Sequence, residues 1–513
     1  MHDAATEQLP RNGAARKKLQ EKGQFWTPDW IADAMVAWAA NGADHIFDPA
    51  VGPGAFFRAG KRFFDRKQIH GRLIGCELDR AVLESSLAQG LDTDDVKSVT
   101  VGDFMCESYQ RRFKAIVANP PYLRHHRFTA EYKTTLRIFS SRTTGQDIDG
   151  RAGLHVFFLI KALTLLEKGG RLAFIVSSDI CEGRFASGLW KWIKHNFCIE
   201  GAVTFSPDAT PFPGVDTNAI LLLISNNIPA RTVRWARVSQ HNLPYLLSWC
   251  EADLPMIASP GFELIGRDLD ESVRTGLTRK PANDSIDDSV LFGQLFRAVR
   301  GIATGANEFF FMTHTQLTEK GLPESAFLRA IGRTRDITGS TIQTSHLQKL
   351  DRQGRPTYLL SLGRMPTEAF SPVVQSYLRQ GVAQGLPDRP LISQRKPWYR
   401  METRVPPPWL FAYLGRRDCR FIRNEAHALP LTGFLCIYLQ PEIERDLVAA
   451  TKVLNDPRTI ANLYRVGKSY GGGALKVEPR SLEKLPIPKA VLEEHGLRVP
   501  YSTNMLSSLA EDP

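Results

Sequence analysis

Between residues 45 and 235 short apolar runs alternate with segments of helical period, and the first four runs each end in a polar or glycine-bearing cluster. His45 to Phe47 enters Asp48-Pro49-Ala50-Val51-Gly52-Pro53-Gly54, and Leu73 to Cys76 ends at Glu77. Val99 to Val101 ends at Asp103-Phe104, and Ala115 to Ala118 ends at Asn119-Pro120-Pro121-Tyr122. Further on, a helix is expected over 154–166, strands over 171–176 and 201–205, and a hairpin-like strand over 218–224. Strands alternating with helices predict a doubly wound, Rossmann-like α/β sheet. Ligands of such sheets gather beyond the carboxyl ends of the strands, near the switch point. All four clusters fall on that edge.

Each cluster has its own chemistry. Proline sets φ and cannot continue a central ladder, so the backbone after Asn119 is stiff and its carbonyls are fixed. An Asn side-chain oxygen beside such a carbonyl makes two acceptors converge, as a planar amine requires if its lone pair is to attack an electrophile. Tyr122 offers a flat face on which an aromatic base can stack. A plain strand-ending turn is the alternative, since Asn-Pro is a common breaker. Asp48-x-x-x-Gly52-x-Gly54 makes a tight glycine turn that lets the backbone approach a nucleoside-bearing cofactor. Glu77 is placed to accept both hydroxyls of a ribose. Asp103 can accept an adenine amino group, with Phe104 packing on the ring. A dinucleotide site favours a third glycine at position 57, where the chain has Phe57, so a smaller adenosyl cofactor fits better.

Composition narrows the setting. With 43% hydrophobic and 23% charged residues among 513, the chain is an ordinary globular protein of two or three domains. A net charge of +11 points to a polyanionic partner, most simply nucleic acid. The seven cysteines include no Cys-x-x-Cys pair, so neither a disulfide framework nor a zinc ribbon is indicated and a reducing compartment is expected. No apolar run approaches membrane-span length. A cytoplasmic protein is expected.

The chain divides into a basic arm over 1–22, the α/β domain over 23–240, a connecting region over 241–290, a mixed α+β domain over 291–500 and a tail over 501–513. Thr27 reads as the N-cap and Pro28 as the first residue of a helix that carries Ile31, Met35 and Trp38 on one face. Residues 123–150 are basic and weakly periodic, and read as a loop over the site. The adjacent His125 and His126 face apart with no acidic partner nearby, so no metal is expected. Between Arg389 and Glu425 nine Arg/Lys face three acids, interleaved with Trp398, Tyr399, Trp409, Phe411, Tyr413 and Phe421. Such a stretch suits phosphate contacts with base or sugar packing, or equally a half-buried β face.

The ordered set Thr27-Pro28, Asp48 to Gly54, Glu77, Asp103-Phe104 and Asn119-Pro120-Pro121-Tyr122 resembles the S-adenosylmethionine-dependent DNA amino-methyltransferases. It is most similar to the gamma class of restriction–modification adenine-N6 enzymes, in which a target-recognition region follows the catalytic tetrad. The resemblance runs motif by motif from 23 to about 225. It continues more loosely through Arg300 to Asn307, Arg395-Lys396-Pro397-Trp398, Gly471-Gly472-Gly473 and Glu478-Pro479. It implies that Thr27 and Pro28 line the methionine end of S-adenosylmethionine. Asp48, Ala50 and Gly52 would meet its amino-acid portion, Glu77 its ribose, and Asp103 with Phe104 its adenine. Asn119, which would also touch the cofactor, and the Pro120 carbonyl would bind the target N6 amine, with Tyr122 on one face of the flipped base and Phe212 on the other. Arg395, Lys396, Trp398, Arg400, Arg416 and Arg417 would contact double-stranded DNA.

Fused enzymes of this type carry a nuclease domain ahead of the cofactor motifs. The residues before Gln24 are too few for one, so no cleavage activity is expected; whether a separate cognate restriction endonuclease is a partner is not readable from the sequence. Cytosine N4 is a rival target, although its enzymes usually place serine where Asn119 stands. RNA and protein glutamine are others. A modification subunit that is inactive without a specificity protein is the non-autonomous alternative. Oligomeric state is not readable from the sequence.

Overall fold

The computed structural model describes residues 26–123, 125–149, 152–181, 186–212, 218–239, 243–257, 259–279, 288–412, 420–470 and 474–498. The arm over 1–22, Arg416, Arg417, Gly471 to Gly473 and the tail over 501–513 lie outside these. Two compact units emerge: Met1–Pro281 with Tyr470–Gly473, and Ala282–Ser469 with Ala474–Pro513.

The first unit is built on a nine-stranded sheet with the order β3-β2-β1-β4-β5-β7-β6-β8-β9. Its strands are β1 (His45–Asp48), β2 (Arg72–Glu77), β3 (Val99–Val101), β4 (Phe113–Ala118), β5 (Leu166–Ser177), β6 (Cys198–Phe205), β7 (Ala219–Ser225), β8 (Thr232–Val238) and β9 (Phe262–Asp268). Strands β1 to β5 pair in parallel, and β7 enters antiparallel between β5 and β6. The reversal of strand order between β1 and β4 is the switch point. The helices used below are α1 (Asp29–Ala39), α2 (Ala55–Lys67), α3 (Ala130–Thr144), α4 (Leu154–Thr164), α5 (Ala186–Asn196) and α6 (Leu243–Glu251).

The central strands read as continuous apolar runs because both faces are covered. In β4, Ala115 and Val117 join one core with Ile31, Met35 and Trp38 of α1. Ile116 and Ala118 join the opposite core with Val156, Phe157 and Ile160 of α4. Successive side chains point to opposite faces, so one strand feeds two cores. Ending β4 at Asn119 therefore puts the polar tetrad where both cores stop.

Two expectations are corrected. Residues 130–144, read as loop, form α3, capped by Thr129 Oγ1, which accepts from the Tyr132 amide at 3.2 Å. The connecting region expected over 241–290 holds α6 and the ninth strand of the sheet. Polar β9 is stabilised by a buried arginine: the Arg267 guanidinium pairs with Glu271 at 2.9 Å.

The second unit is mixed α+β, as expected. Its five-stranded sheet runs in the order Phe296–Arg300, Leu435–Leu439, Trp409–Ala412, Arg420–Asn424, Thr341–Ile342, and a four-stranded sheet joins Phe311–Met312, Tyr358–Leu360, Phe327–Ile331 and Leu429–Pro430. Among the described residues no helix is long and apolar enough to cross a membrane.

Candidate active site

At the carboxyl end of β1 the chain turns sharply into α2. Gly52 and Gly54 have φ of +54° and +86°, the left-handed region that glycine enters without strain. A Cβ on Gly54 would lie 2.5 Å from Leu91. The turn is tied to its neighbours by backbone amides: Val51 N–H donates to the Cys76 carbonyl at 3.1 Å and Gly52 N–H to Glu77 Oε2 at 2.8 Å. Asp79 N–H takes Glu77 Oε1 at 2.9 Å. A carboxylate has about four lone-pair sites, so Glu77 keeps acceptor capacity on both oxygens while its orientation is fixed.

Asp48 lies beneath this turn with no exposure. Its Oδ1 accepts from the Ala50 amide at 3.0 Å, and its Oδ2 has no hydrogen-bond partner among the described residues. Burial, with a smaller contribution from the Glu77 charge, pushes its pKa up to about 8. Asp103, beyond β3, accepts from the Met105 amide on Oδ1 at 2.9 Å and from the Tyr132 hydroxyl on Oδ2 at 2.8 Å.

These groups surround a cavity of about 660 Å³, within the size range of small-molecule sites. Of the expected cofactor residues, Thr27, Ala50, Gly52, Glu77, Asp103, Phe104 and Asn119 line it, as does Pro120. Pro28 and Asp48 do not; Asp48 sits below the floor. Phe104 is 2% exposed, with its ring 4.9 Å from that of Phe158 and 6.1 Å from that of Phe47, so most of that ring belongs to the core. The sequence reading missed Leu78, Phe128 and Tyr132, all of which line the cavity. Leu78 carried a signal: a leucine directly after a strand-ending acid, here 70% exposed at the mouth of a cavity.

Thr27 does not cap α1. The N-cap is Pro28, with no side-chain hydrogen bond, and Thr27 Oγ1 instead accepts from Asn119 Nδ2 at 3.0 Å. The amide nitrogen of Asn119 is thereby engaged, and its Oδ1 is buried. Tyr122 and Phe212 meet each other outside the lining set, with ring centroids 6.4 Å apart at 70°. The Tyr122 hydroxyl donates to the Ile175 carbonyl at 3.4 Å, and burial raises its pKa. Against its ring, 6.1 Å away, packs the buried His155, whose two nitrogens have no partner among the described residues. Burial lowers the pKa of that imidazole to about 4, so it is neutral.

The expected DNA contacts in the second unit divide. Arg395 turns inward: its Nη2 donates to the carbonyls of Ala303 at 2.7 Å and Thr304 at 2.9 Å, over the Phe310 ring. Trp398 packs on Phe309 and Phe310, and Trp409, Phe411 and Phe421 are fully buried. In this stretch Arg395 and Trp398 lie in a turn packed on the core, and the strands Trp409–Ala412 and Arg420–Asn424 are covered on both faces, by Trp409, Phe411 and Phe421 in one core and Leu410 and Ile422 in another. Lys396 is exposed and Arg400 half-buried.

Residues 80–212 match the model of the Eco57I restriction–modification methylases, and residues 283–509 that of the C-terminal domain of the Type II methyltransferase M.Eco57I. The chain is an S-adenosylmethionine-dependent DNA methyltransferase, similar to those of Type II restriction–modification systems. Type II methyltransferase M.AccI of Acinetobacter calcoaceticus is 25% identical over 91% of this chain and 85% of its own length. M.XamI of Xanthomonas campestris pv. amaranthicola is 26% identical over the same shares. The fold of the methyltransferase is also that of the Type IIL restriction–modification enzyme MmeI solved in complex with DNA, with a TM-score of 0.54 and 12% identity. That match covers 89% of this chain and 65% of the MmeI chain, so the methyltransferase spans under two thirds of its length.

The cofactor of the family is S-adenosylmethionine, and the residues present fit it. The cavity carries Glu77, Asp79 and Asp103 against the one cation Arg127 among its described lining residues, with the partnerless Asp48 Oδ2 beneath. Excess negative charge suits a cationic ligand, and apolar Leu78, Phe104 and Phe158 suit a flat base.

Proposed function

We propose that this methyltransferase transfers a methyl group to the N6 amine of adenine in double-stranded DNA. The carrying observation is Asn119: it ends β4 at the cavity, with its amide nitrogen held on Thr27 and a rigid Pro120-Pro121 backbone behind it. Two acceptors, Asn119 Oδ1 and the Pro120 carbonyl, then hold the two protons of one planar amine and direct its lone pair. When bound, S-adenosylmethionine supplies an electrophilic methyl on a positive sulfur. Glu77 accepts the ribose hydroxyls and Asp103 the adenine amine, with Leu78 and Phe104 on the ring. Thr27 and Pro28 lie toward the methionine end, and Ala50 and Gly52, with Asp48 beneath, toward its amino-acid portion. No strong base is needed, because the amine loses its proton to water after the methyl arrives. Positioning and fixed dipoles carry the rate.

The target base must leave the duplex to reach Asn119, at a cost of a few kcal/mol. Stacking on Tyr122 and Phe212, at about 1–3 kcal/mol per aromatic, offsets much of it. The two rings now touch edge to face, so admitting a base requires Tyr122 to rotate off the Ile175 carbonyl. The second unit supplies recognition through phosphate and base-edge contacts, with Lys396 and Arg400 as contributors. A cognate restriction endonuclease acting on the same DNA site is the proposed partner.

Asn119→Ala tests the reading. Transfer should fall by about 10³-fold or more, as when a fixed polar group at the reacting centre is removed, while cofactor affinity stays within about threefold because the carboxylates of its site are intact. Turnover near that of the wild type would contradict it.

A further inference from the structure

Lys161 is 9% exposed, and its ammonium is placed on backbone carbonyls rather than on a carboxylate. Its Nζ donates to Phe104 O at 2.5 Å, to Glu107 O at 2.7 Å and to Met105 O at 3.1 Å. An ammonium has three donors, and all three are used. The accepting carbonyls belong to one turn, closed by the Cys106 and Glu107 amides donating to Asp103 O at 2.8 and 2.9 Å. The same cation lies 5.0 Å from the centre of the Phe104 ring. Leu154, Phe158 and Lys161 follow at i, i+4 and i+7 on α4, so one helix face supplies two cavity-lining side chains and the ammonium. Burying an ammonium costs several kcal/mol unless its geometry is excellent, and burial lowers the Lys161 pKa. A charge retained at that cost, gripping a single turn, indicates that the turn's exact place matters. The turn presents the Asp103 carboxylate, whose Oδ1 rests on the Met105 amide.

We propose that Lys161 is the positioning residue of the cofactor's adenine end, acting through the backbone of residues 104–107 and not on the reacting atoms. This rests on the reading above that Asp103 and Phe104 receive the adenine. It implies an affinity defect confined to one end of the cofactor. Losing charge-assisted hydrogen bonds worth about 1.5–3 kcal/mol corresponds to roughly a 10- to 100-fold change.

The test uses the full chain, with KM for S-adenosylmethionine, kcat at saturation, and inhibition by S-adenosylhomocysteine and by adenosine. Lys161→Met should raise KM and both inhibition constants by roughly 10- to 100-fold and leave kcat within about threefold. Adenosine lacks the amino-acid arm, so its parallel loss locates the defect at the adenine end. Should Lys161→Met fail to fold, Lys161→Gln, which keeps two donors, is read by the same split. An unchanged KM in a folded variant, or a fall in kcat with KM intact, overturns the proposal. A wild-type chain that binds no S-adenosylhomocysteine overturns the cofactor reading itself, and with it this inference.

Discussion

Asp48 is the residue whose protonation most separates the folded from the unfolded chain at the site. Burial holds its pKa near 8, against an ordinary value of 3.8. Between those values the folded chain keeps a proton that the unfolded chain has released. The stabilising contribution is therefore full at low pH and is lost as pH rises through about 8. Asp48→Asn removes this slope, and thermal unfolding of the ligand-free protein from pH 5 to pH 9 measures it. Identical slopes in wild type and variant would refute the assignment. Residues of this kind were legible where chemistry and position coincide: Glu77, Asp103 and Asn119 each stand at or just past the carboxyl end of a strand, and each lines the cavity. Thr27 was legible as a site residue but not in its bond, since a threonine ahead of a proline reads as a cap until Asn119 is found 3.0 Å away. His155 left no trace, because a buried imidazole without hydrogen-bond partners among the described residues has no sequence pattern.

At the scale of elements, the miss at α3 has a definite cause. Its buried positions are Leu136, Ser140 and Thr144, one narrow stripe at a spacing of four in which two members are hydroxyls. An apolar-period reading sees a single leucine there. The helix matters because its first turn brings Tyr132 to Asp103. Tyr132→Phe deletes a hydrogen bond to a carboxylate, worth about 1.5 kcal/mol or more. The predicted result is a melting temperature several degrees lower, read by calorimetry on the ligand-free chain; an unchanged value would show that the bond contributes nothing. The stretch from Arg389 to Glu425 misled for a different reason. Along Trp409–Ala412 and Arg420–Asn424, Trp409, Phe411 and Phe421 enter one core and Leu410 and Ile422 another, and a strand covered on both faces has no alternation that marks it as buried. Likewise β9 fell inside the expected connecting region, and its buried Arg267 is indistinguishable in sequence from surface charge.

At the scale of the molecule, the α/β class of the first unit and the mixed character of the second were readable, since strand–helix alternation is a property of long segments, although β9 carries the sheet past the boundary expected at 240. The net charge of +11 gives a polyanion a reason to bind. It does not choose the atom that is methylated, which rests on Asn119, Pro120 and the pocket they line. Nucleoside mass spectrometry decides this directly, on unmethylated plasmid DNA incubated with the purified chain and S-adenosylmethionine. The account predicts a new N6-methyladenine peak that is absent when Asn119→Ala replaces the wild type. N4-methylcytosine, or no methylated nucleoside from a chain that binds the cofactor, would contradict it.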